Sequence, residues 1–231
     1  MKPFQFKQFS IQQSKEVFRV GTDGVLLGAC SSTNKAQKIL EVGTGTGLIS
    51  LMLAQRNPTA IIHAIDINEN AVKLAKENFE NSPFKDRLKV NLQDYRKFNS
   101  AEKYDLIVSN PPYFEENQSS KDIIARQQTE LSFEFLIENS AKFLSENGLF
   151  SVIIPFDSDV LFEKHCNKHA LYLEKKILIY GIIDSKPKRL VLEFGFQKKD
   201  VIESELVLEK TPRKYTDEYL KLTEDFHQFL K

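Results

Sequence analysis

The sequence predicts an α/β fold: a mostly parallel sheet flanked by helices, with an antiparallel pair of strands at one edge. Three observations carry that expectation. Short apolar strand-like runs alternate with helix-like segments between residues 38 and 155, which is the pattern of strands joined by right-handed helical crossovers. Glycine, aspartate, asparagine and proline collect just after those runs, at the strand ends where such sheets bind ligands. Beyond Pro155 two further strand-like runs follow each other with no long helix between them, as an antiparallel pair does.

The elements justify themselves in order. "KILEV" (38–42) is β-like, and "TGLISLMLAQ" after it has helical spacing. "AIIHAID" (60–66) is β-like again. "NENAVKLAKENFENS" (68–82) opens with an Asn cap and sets Ala71, Leu74, Ala75 and Phe79 along one helical stripe. "LKVNL" (88–92) and "YDLIVS" (104–109) read as strands. "LSFEFLIENSAKFLSENG" (131–148) reads as a helix from near Ser132 to Gly148, and "LFSVIIP" (149–155) as the next strand. "LEKKILIYGII" and "RLVLEFGF" then form the antiparallel pair, joined through "DSKPK".

Composition bounds the function. At 231 residues the chain is one domain with an extension or two small ones, and it is large enough to bury a core. Lys plus Arg total 32, balanced by 32 Asp plus Glu, which argues against a nucleic-acid packaging protein while leaving room for a local basic face. The two cysteines, Cys30 and Cys166, are too distant for a CxxC pair, and no metal site or disulfide framework is expected. The start "MKPFQFKQFS" has no signal-peptide core and no stretch approaches a membrane span, so a cytoplasmic location is expected.

Chemistry concentrates at the strand ends. In "EVGTGTG", Gly43, Gly45 and Gly47 allow a tight strand-to-helix turn and the close approach of a ligand; the spacing is GxGxG, not the dinucleotide GxGxxG. Asp66 ends the second strand, where a carboxylate either accepts both hydroxyls of a ribose or caps the following helix. Asp94 follows the third strand and either accepts from an adenine amine or closes an Asx-turn. Glu41, beside the first glycine, would repel a pyrophosphate but attract an ammonium. Together these residues describe adenosine joined to a cationic group.

"EVGTGTG", Asp66, Asp94 and "SNPPYF" resemble the Rossmann-like S-adenosylmethionine-dependent methyltransferases that modify exocyclic or amide nitrogens, over at least residues 38–155. The resemblance implies a seven-stranded class I sheet, mostly parallel with an antiparallel edge strand, and S-adenosyl-L-methionine as cofactor. It also implies that Asn110, Pro111, Pro112 and Tyr113 form the catalytic tetrapeptide after the fourth strand. The physical logic is that an amine conjugated to a ring is a poor nucleophile. Accepting its two N–H bonds at the Asn110 side-chain oxygen and the Pro111 carbonyl draws the nitrogen toward a tetrahedral form. The prolines aim that carbonyl in advance, and Tyr113 offers a stacking face.

The flanks "FKQFSIQQ", "VFRVGTDGVLLGA", "ARQQTELSFE", "KPKRLVLEF" and "YTDEYLKLTEDFHQFL" extend the resemblance to bacterial tRNA adenine-N(6) methyltransferases, which act on the adenosine 3′ of the anticodon of a valine tRNA. That similarity implies one methyltransferase domain: an extension (1–37) over the cofactor, a catalytic core (38–198), and a C-terminal strand and helix (199–231). It places Thr22 and Asp23 over the methionine end of the cofactor, their alternative role being a helix cap before "GVLLGAC". Position 128 is Gln where relatives often have Glu. For tRNA, Lys188 and Arg189 in "SKPKR" and Arg126 are the candidate contacts; "KTPRK" is the other dense basic cluster, and residues 186–214 hold eight Lys/Arg against five Asp/Glu. Arg126 has the alternative of pairing with Glu130 on a helix surface. No membrane contact and no obligate protein partner are expected.

Three rivals share parts of the pattern. A glutamine methyltransferase acting on release factors solves the same lone-pair problem, but usually carries a helical N-terminal domain, and only about 37 residues precede the first strand here. A ribosomal RNA guanine methyltransferase generally has a phenylalanine-ending tetrapeptide and often a duplicated domain. A non-catalytic adenosine-binding or NAD-dependent module needs neither paired prolines nor Tyr113.

Overall fold

The structure is a computed structural model that describes residues 1–17, 19–112 and 132–227. Eleven strands are present among them. β1 (Phe4–Gln5) and β2 (Ser10–Ile11) form a small antiparallel pair. β3 (Lys38–Val42), β4 (Ile61–Asp66), β5 (Leu88–Leu92), β6 (Tyr104–Ser109), β7 (Leu144–Pro155), β8 (Tyr172–Ile182), β9 (Pro187–Gly195), β10 (Ile202–Thr211) and β11 (Lys214–Tyr215) make one sheet in the order β11-β10-β8-β9-β7-β6-β3-β4-β5. The helices are α1 (Thr22–Cys30), α2 (Leu48–Arg56), α3 (Glu69–Glu80), α4 (Phe133–Phe143), α5 (Asp159–Lys168) and α6 (Asp217–Thr223).

The expected seven strands are β3 to β9, and β9 runs antiparallel to both β7 and β8. The sheet then continues further than the sequence pattern implied. β10 joins β8 in parallel and β11 folds back on β10, so the antiparallel pair is followed by two more strands.

Strand periodicity explains the two layers. Leu40, Ile107, Leu190, Leu192 and Phe194 point to one face, where they pack with Leu136, Ile137 and Phe143 of α4 and Phe162 and Cys166 of α5. Ile39, Leu106, Val108 and Val191 point to the other, against Leu26 and Leu27 of α1 and Ile49 and Leu53 of α2. Both cysteines are buried and free. The close approach of α1 to α2 depends on Gly28, where a Cβ would lie 2.8 Å from the sulfur of Met52.

One element differs from its expectation. The helix expected to reach Gly148 ends at Phe143, and Leu144–Gly148 already belong to β7. The cause is register: Leu144 pairs with Tyr104 and Leu149 with Leu106, which forces a bulge between them. A Cβ at Gly148 would sit 2.8 Å from the Tyr104 carbonyl oxygen, so only glycine lets the chain pass there extended.

Candidate active site

The sheet topology gathers the strand-end residues. β3 lies between β4 and β6, so the turns after these three strands open side by side. Val42 is the register partner of Ser109, which makes Gly43 and Asn110 the first residues beyond two paired strand ends. The Ser109 hydroxyl donates to the Val42 carbonyl at 2.9 Å and ties the two ends together.

All three loop glycines have left-handed backbone: φ is 76° at Gly43, 56° at Gly45 and 82° at Gly47. They differ in their surroundings. A Cβ at Gly43 or Gly45 would meet nothing within 4 Å, so the loop carries open space above it. At Gly47 a Cβ would lie 2.5 Å from the Phe79 ring, so this glycine seats α2 against α3.

Asp66, half-buried, connects this loop to the next. Its Oδ2 accepts from the Gly45 amide and its Oδ1 from the Asn68 amide, each at 2.9 Å. The cap of α3 is Asn68, whose side chain accepts from the amides of Asn70 and Ala71, so the helix-capping alternative for Asp66 is not the one realised. A carboxylate has about four acceptor positions, and two remain on Asp66 for a ligand.

Glu41 is completely buried. Its Oε2 accepts from the Thr44 hydroxyl at 2.7 Å, the Ser50 amide at 3.1 Å and the Ser50 hydroxyl. Its Oε1 has no partner among the described residues. Burial pushes this carboxyl up to about 7, against the opposing effect of the Ser50 and Thr44 hydrogen bonds. An unpartnered buried acceptor beside an open glycine loop suits a cationic ligand group.

The other strand ends carry more internal pairing than the sequence suggested. Asp94 takes the Asx-turn role: its Oδ1 accepts from the Arg96 amide at 2.9 Å and caps the turn Tyr95–Lys97. The Arg96 guanidinium also lies on this carboxylate, and that hydrogen bond holds it below the usual carboxylate range. At the start of α1 the N-cap is Gly21 with no side-chain cap bond, so neither Thr22 nor Asp23 serves as a cap. Asp23 instead accepts from Arg189 Nε at 2.9 Å, joining a residue expected at the cofactor to one expected at RNA. Lys188, on the opposite face of β9, is exposed and lies along Gly181.

After β6, Asn110 is half-buried, Pro111 buried and Pro112 exposed. Tyr113, Arg126 and Gln128 lie outside the described residues. No group of three or more His, Cys, Asp or Glu is placed to hold a metal among the described residues, and no helix there is long and apolar enough to cross a membrane.

Several contributors escaped the sequence reading. Thr44 and Ser50 hold Glu41, and Ser109 aligns the two strand ends. Asn78 accepts from the Gln12 amide at 2.7 Å and donates to the Thr46 carbonyl at 2.8 Å, fastening the N-terminal segment to the glycine loop. Its signal was present: a polar residue next to Phe79 on the apolar stripe of α3.

Comparison with known proteins agrees with this geometry. Residues 13–170 match the methyltransferase small domain family. The tRNA1(Val) (adenine(37)-N6)-methyltransferase of Flavobacteriaceae bacterium (strain 3519-10) is 54% identical over 230 residues, covering 99% of this chain and 100% of that protein. Among solved structures, a predicted O-methyltransferase from Agrobacterium tumefaciens superposes with a TM-score of 0.71 at 17% identity, over 88% of this chain and 96% of the other. The N-methyltransferase NodS from Bradyrhizobium japonicum, solved with S-adenosyl-L-homocysteine, gives a TM-score of 0.54 at 18% identity, over 75% of this chain and 83% of the other. These solved structures share the class I methyltransferase fold, and by its near full-length similarity the chain belongs to the methyltransferase small domain family, among the tRNA1(Val) (adenine(37)-N6)-methyltransferases.

Proposed function

We propose that this protein methylates the exocyclic N6 amine of an adenosine in tRNA, at position 37 beside the anticodon of a valine tRNA, with S-adenosyl-L-methionine as donor. The observation that carries the reading is the adjacency of the glycine loop after β3 and the Asn110-Pro111-Pro112 turn after β6, set by the Val42–Ser109 register. The relative's printed substrate supports the choice of nucleoside.

When bound, the cofactor supplies an electrophilic methyl group. Gly43 and Gly45 leave it room, Asp66 has acceptor capacity for its ribose, and Glu41 offers Oε1 to its amino-acid ammonium. Asp94 serves the adenine end only with the carboxylate capacity that Arg96 leaves. The Asn110 side-chain oxygen and Pro111 carbonyl accept the two N–H bonds of the target amine and turn its lone pair outward. In this reading residues 1–37 cover the cofactor; they carry β1, β2 and α1 and are fastened at Asn78.

Tritiated methyl from S-adenosylmethionine should enter total tRNA and appear as N6-methyladenosine on nucleoside mass analysis. Label in purified release factor instead would overturn the reading. Asp66→Ala should weaken cofactor binding by about 1–3 kcal/mol in calorimetry, because ribose donors would be left poorly paired. Unchanged affinity would remove Asp66 from the site.

A further inference from the structure

Two basic clusters separated in sequence meet at the carboxyl end of the sheet. β6, β7, β8 and β10 all run the same way, so the β8–β9 and β10–β11 turns open at the same end as Asn110. The two turns are neighbours: the Ile183 amide donates to the Glu209 carbonyl at 3.1 Å. Residues 182–189 and 209–214 together hold six Lys/Arg against Asp184 and Glu209, in a chain whose formal net charge is zero. Arg189 is paired with Asp23, and Lys210 with Asp217 at 2.8 Å. Lys186, Lys188, Arg213 and Lys214 are exposed and enter no ion pair among the described residues.

Arg213 adds an independent observation. Its φ is 67°, left-handed backbone that glycine or asparagine adopts at lower cost. An arginine at a strained, exposed turn position points to a use for its side chain.

Strand spacing sets the reach. β8 is three strands from β6 and β10 is four, so at about 4.8 Å per strand the two turns stand roughly 14 and 19 Å from the line of Asn110. That is too far for the phosphates of the reacting nucleotide. It suits the backbone several nucleotides away, where a loop closes into a helical stem.

We propose that the β8–β9 and β10–β11 turns form a phosphate-binding rim, with Lys186, Arg213 and Lys214 gripping the stem backbone of the RNA whose loop adenosine lies at Asn110. This rests on the tRNA reading above and deepens it. Phosphate contacts of this kind supply affinity and register, and leave base selection to the turn after β6.

The test compares wild type with Lys186→Ala/Arg213→Gly/Lys214→Ala and with Arg213→Gly alone, on an anticodon stem–loop and on a linear strand of the loop sequence. For the stem–loop, the triple variant should bind about 10- to 100-fold more weakly at low salt, and its slope of log affinity against log salt should fall by about two to three units. The linear strand should lose much less. Arg213→Gly should raise the melting temperature while weakening stem–loop binding, opposite signs that a merely structural turn residue would not give. Equal affinity and slope in wild type and triple variant, or equal losses on both RNAs, would overturn the rim. Wild-type protein that methylates no tRNA would instead overturn the reading beneath it, and the rim with it.

Discussion

Asn110→Ala should lower the single-turnover rate of methyl transfer to tRNA about a hundredfold or more at saturating cofactor, the cost of losing one preorganised polar contact to the reacting group. The effect should fall on the chemical step because the alanine removes one of the two acceptors proposed to reshape the amine. The residues proposed to hold the cofactor sit on other segments: Glu41 lies in β3, Gly43 and Gly45 follow it, and Asp66 ends β4. Cofactor affinity in calorimetry should therefore stay close to wild type. The backbone at this point is held independently by the Ser109 bond to Val42 and by buried Pro111, so the variant should keep its fold. Wild-type transfer by Asn110→Ala would make the proline pair a structural turn only.

Glu41→Gln should change how stability depends on pH. An ordinary glutamate ionises near 4.5, whereas burial raises Glu41 to about 7 in the folded protein. Between those values the folded state retains a proton that the unfolded chain has released, so stability falls as pH rises from 4.5 to 7 and is level beyond. At 1.36 kcal/mol per pKa unit, the contribution is about 3 kcal/mol at most. The difference in unfolding free energy between Glu41→Gln and wild type should move by that order toward the glutamine variant across this window, since the other titrating groups cancel. A difference that stays flat would mean Glu41 is ionised throughout. The same group couples to ligand: a cationic group at Oε1 favours the carboxylate, so cofactor binding below pH 7 should release a proton, read from calorimetry in buffers of different ionisation enthalpy.

Much of the site was legible because its parts are local. The short apolar runs in "KILEV" and "YDLIVS" mark buried strands wherever they pair, and the observed bounds of β3 and β6 are those of the sequence reading. Left-handed φ at Gly43, Gly45 and Gly47 is a property only glycine supplies cheaply, so "GTGTG" announces its turn without help from distant residues. Asn68 caps α3 for the same kind of reason, through amides two and three residues away.

Other readings turned on side-chain partners that periodicity does not reveal, some of them far along the chain. The carboxylate of Asp94 looks equally free for adenine until Arg96 folds onto it, and Asp23 gives no sequence sign of Arg189, 166 residues later. The helix after residue 132 stops at Phe143 because Leu144 must pair with Tyr104, a demand set by β6 and invisible to helical spacing. Asn78 reads as an interruption of an apolar stripe, and only the fold shows what it bonds.

The amino-acid sequence by itself determined the strands and helices of the core from β3 to β6, where the chain turns on glycine, and which strand ends carry carboxylates and the Asn-Pro-Pro turn; these follow from periodicity and backbone sterics over a few residues. The tertiary structure alone decided the strand order that sets Gly43 beside Asn110, the burial that moves Glu41, the pairing of Asp23 with Arg189, and the meeting of the β8–β9 and β10–β11 turns at one end of the sheet. The physical reason is that packing and hydrogen-bond register act between residues tens to more than a hundred positions apart, and their outcome is set by how whole elements fit together.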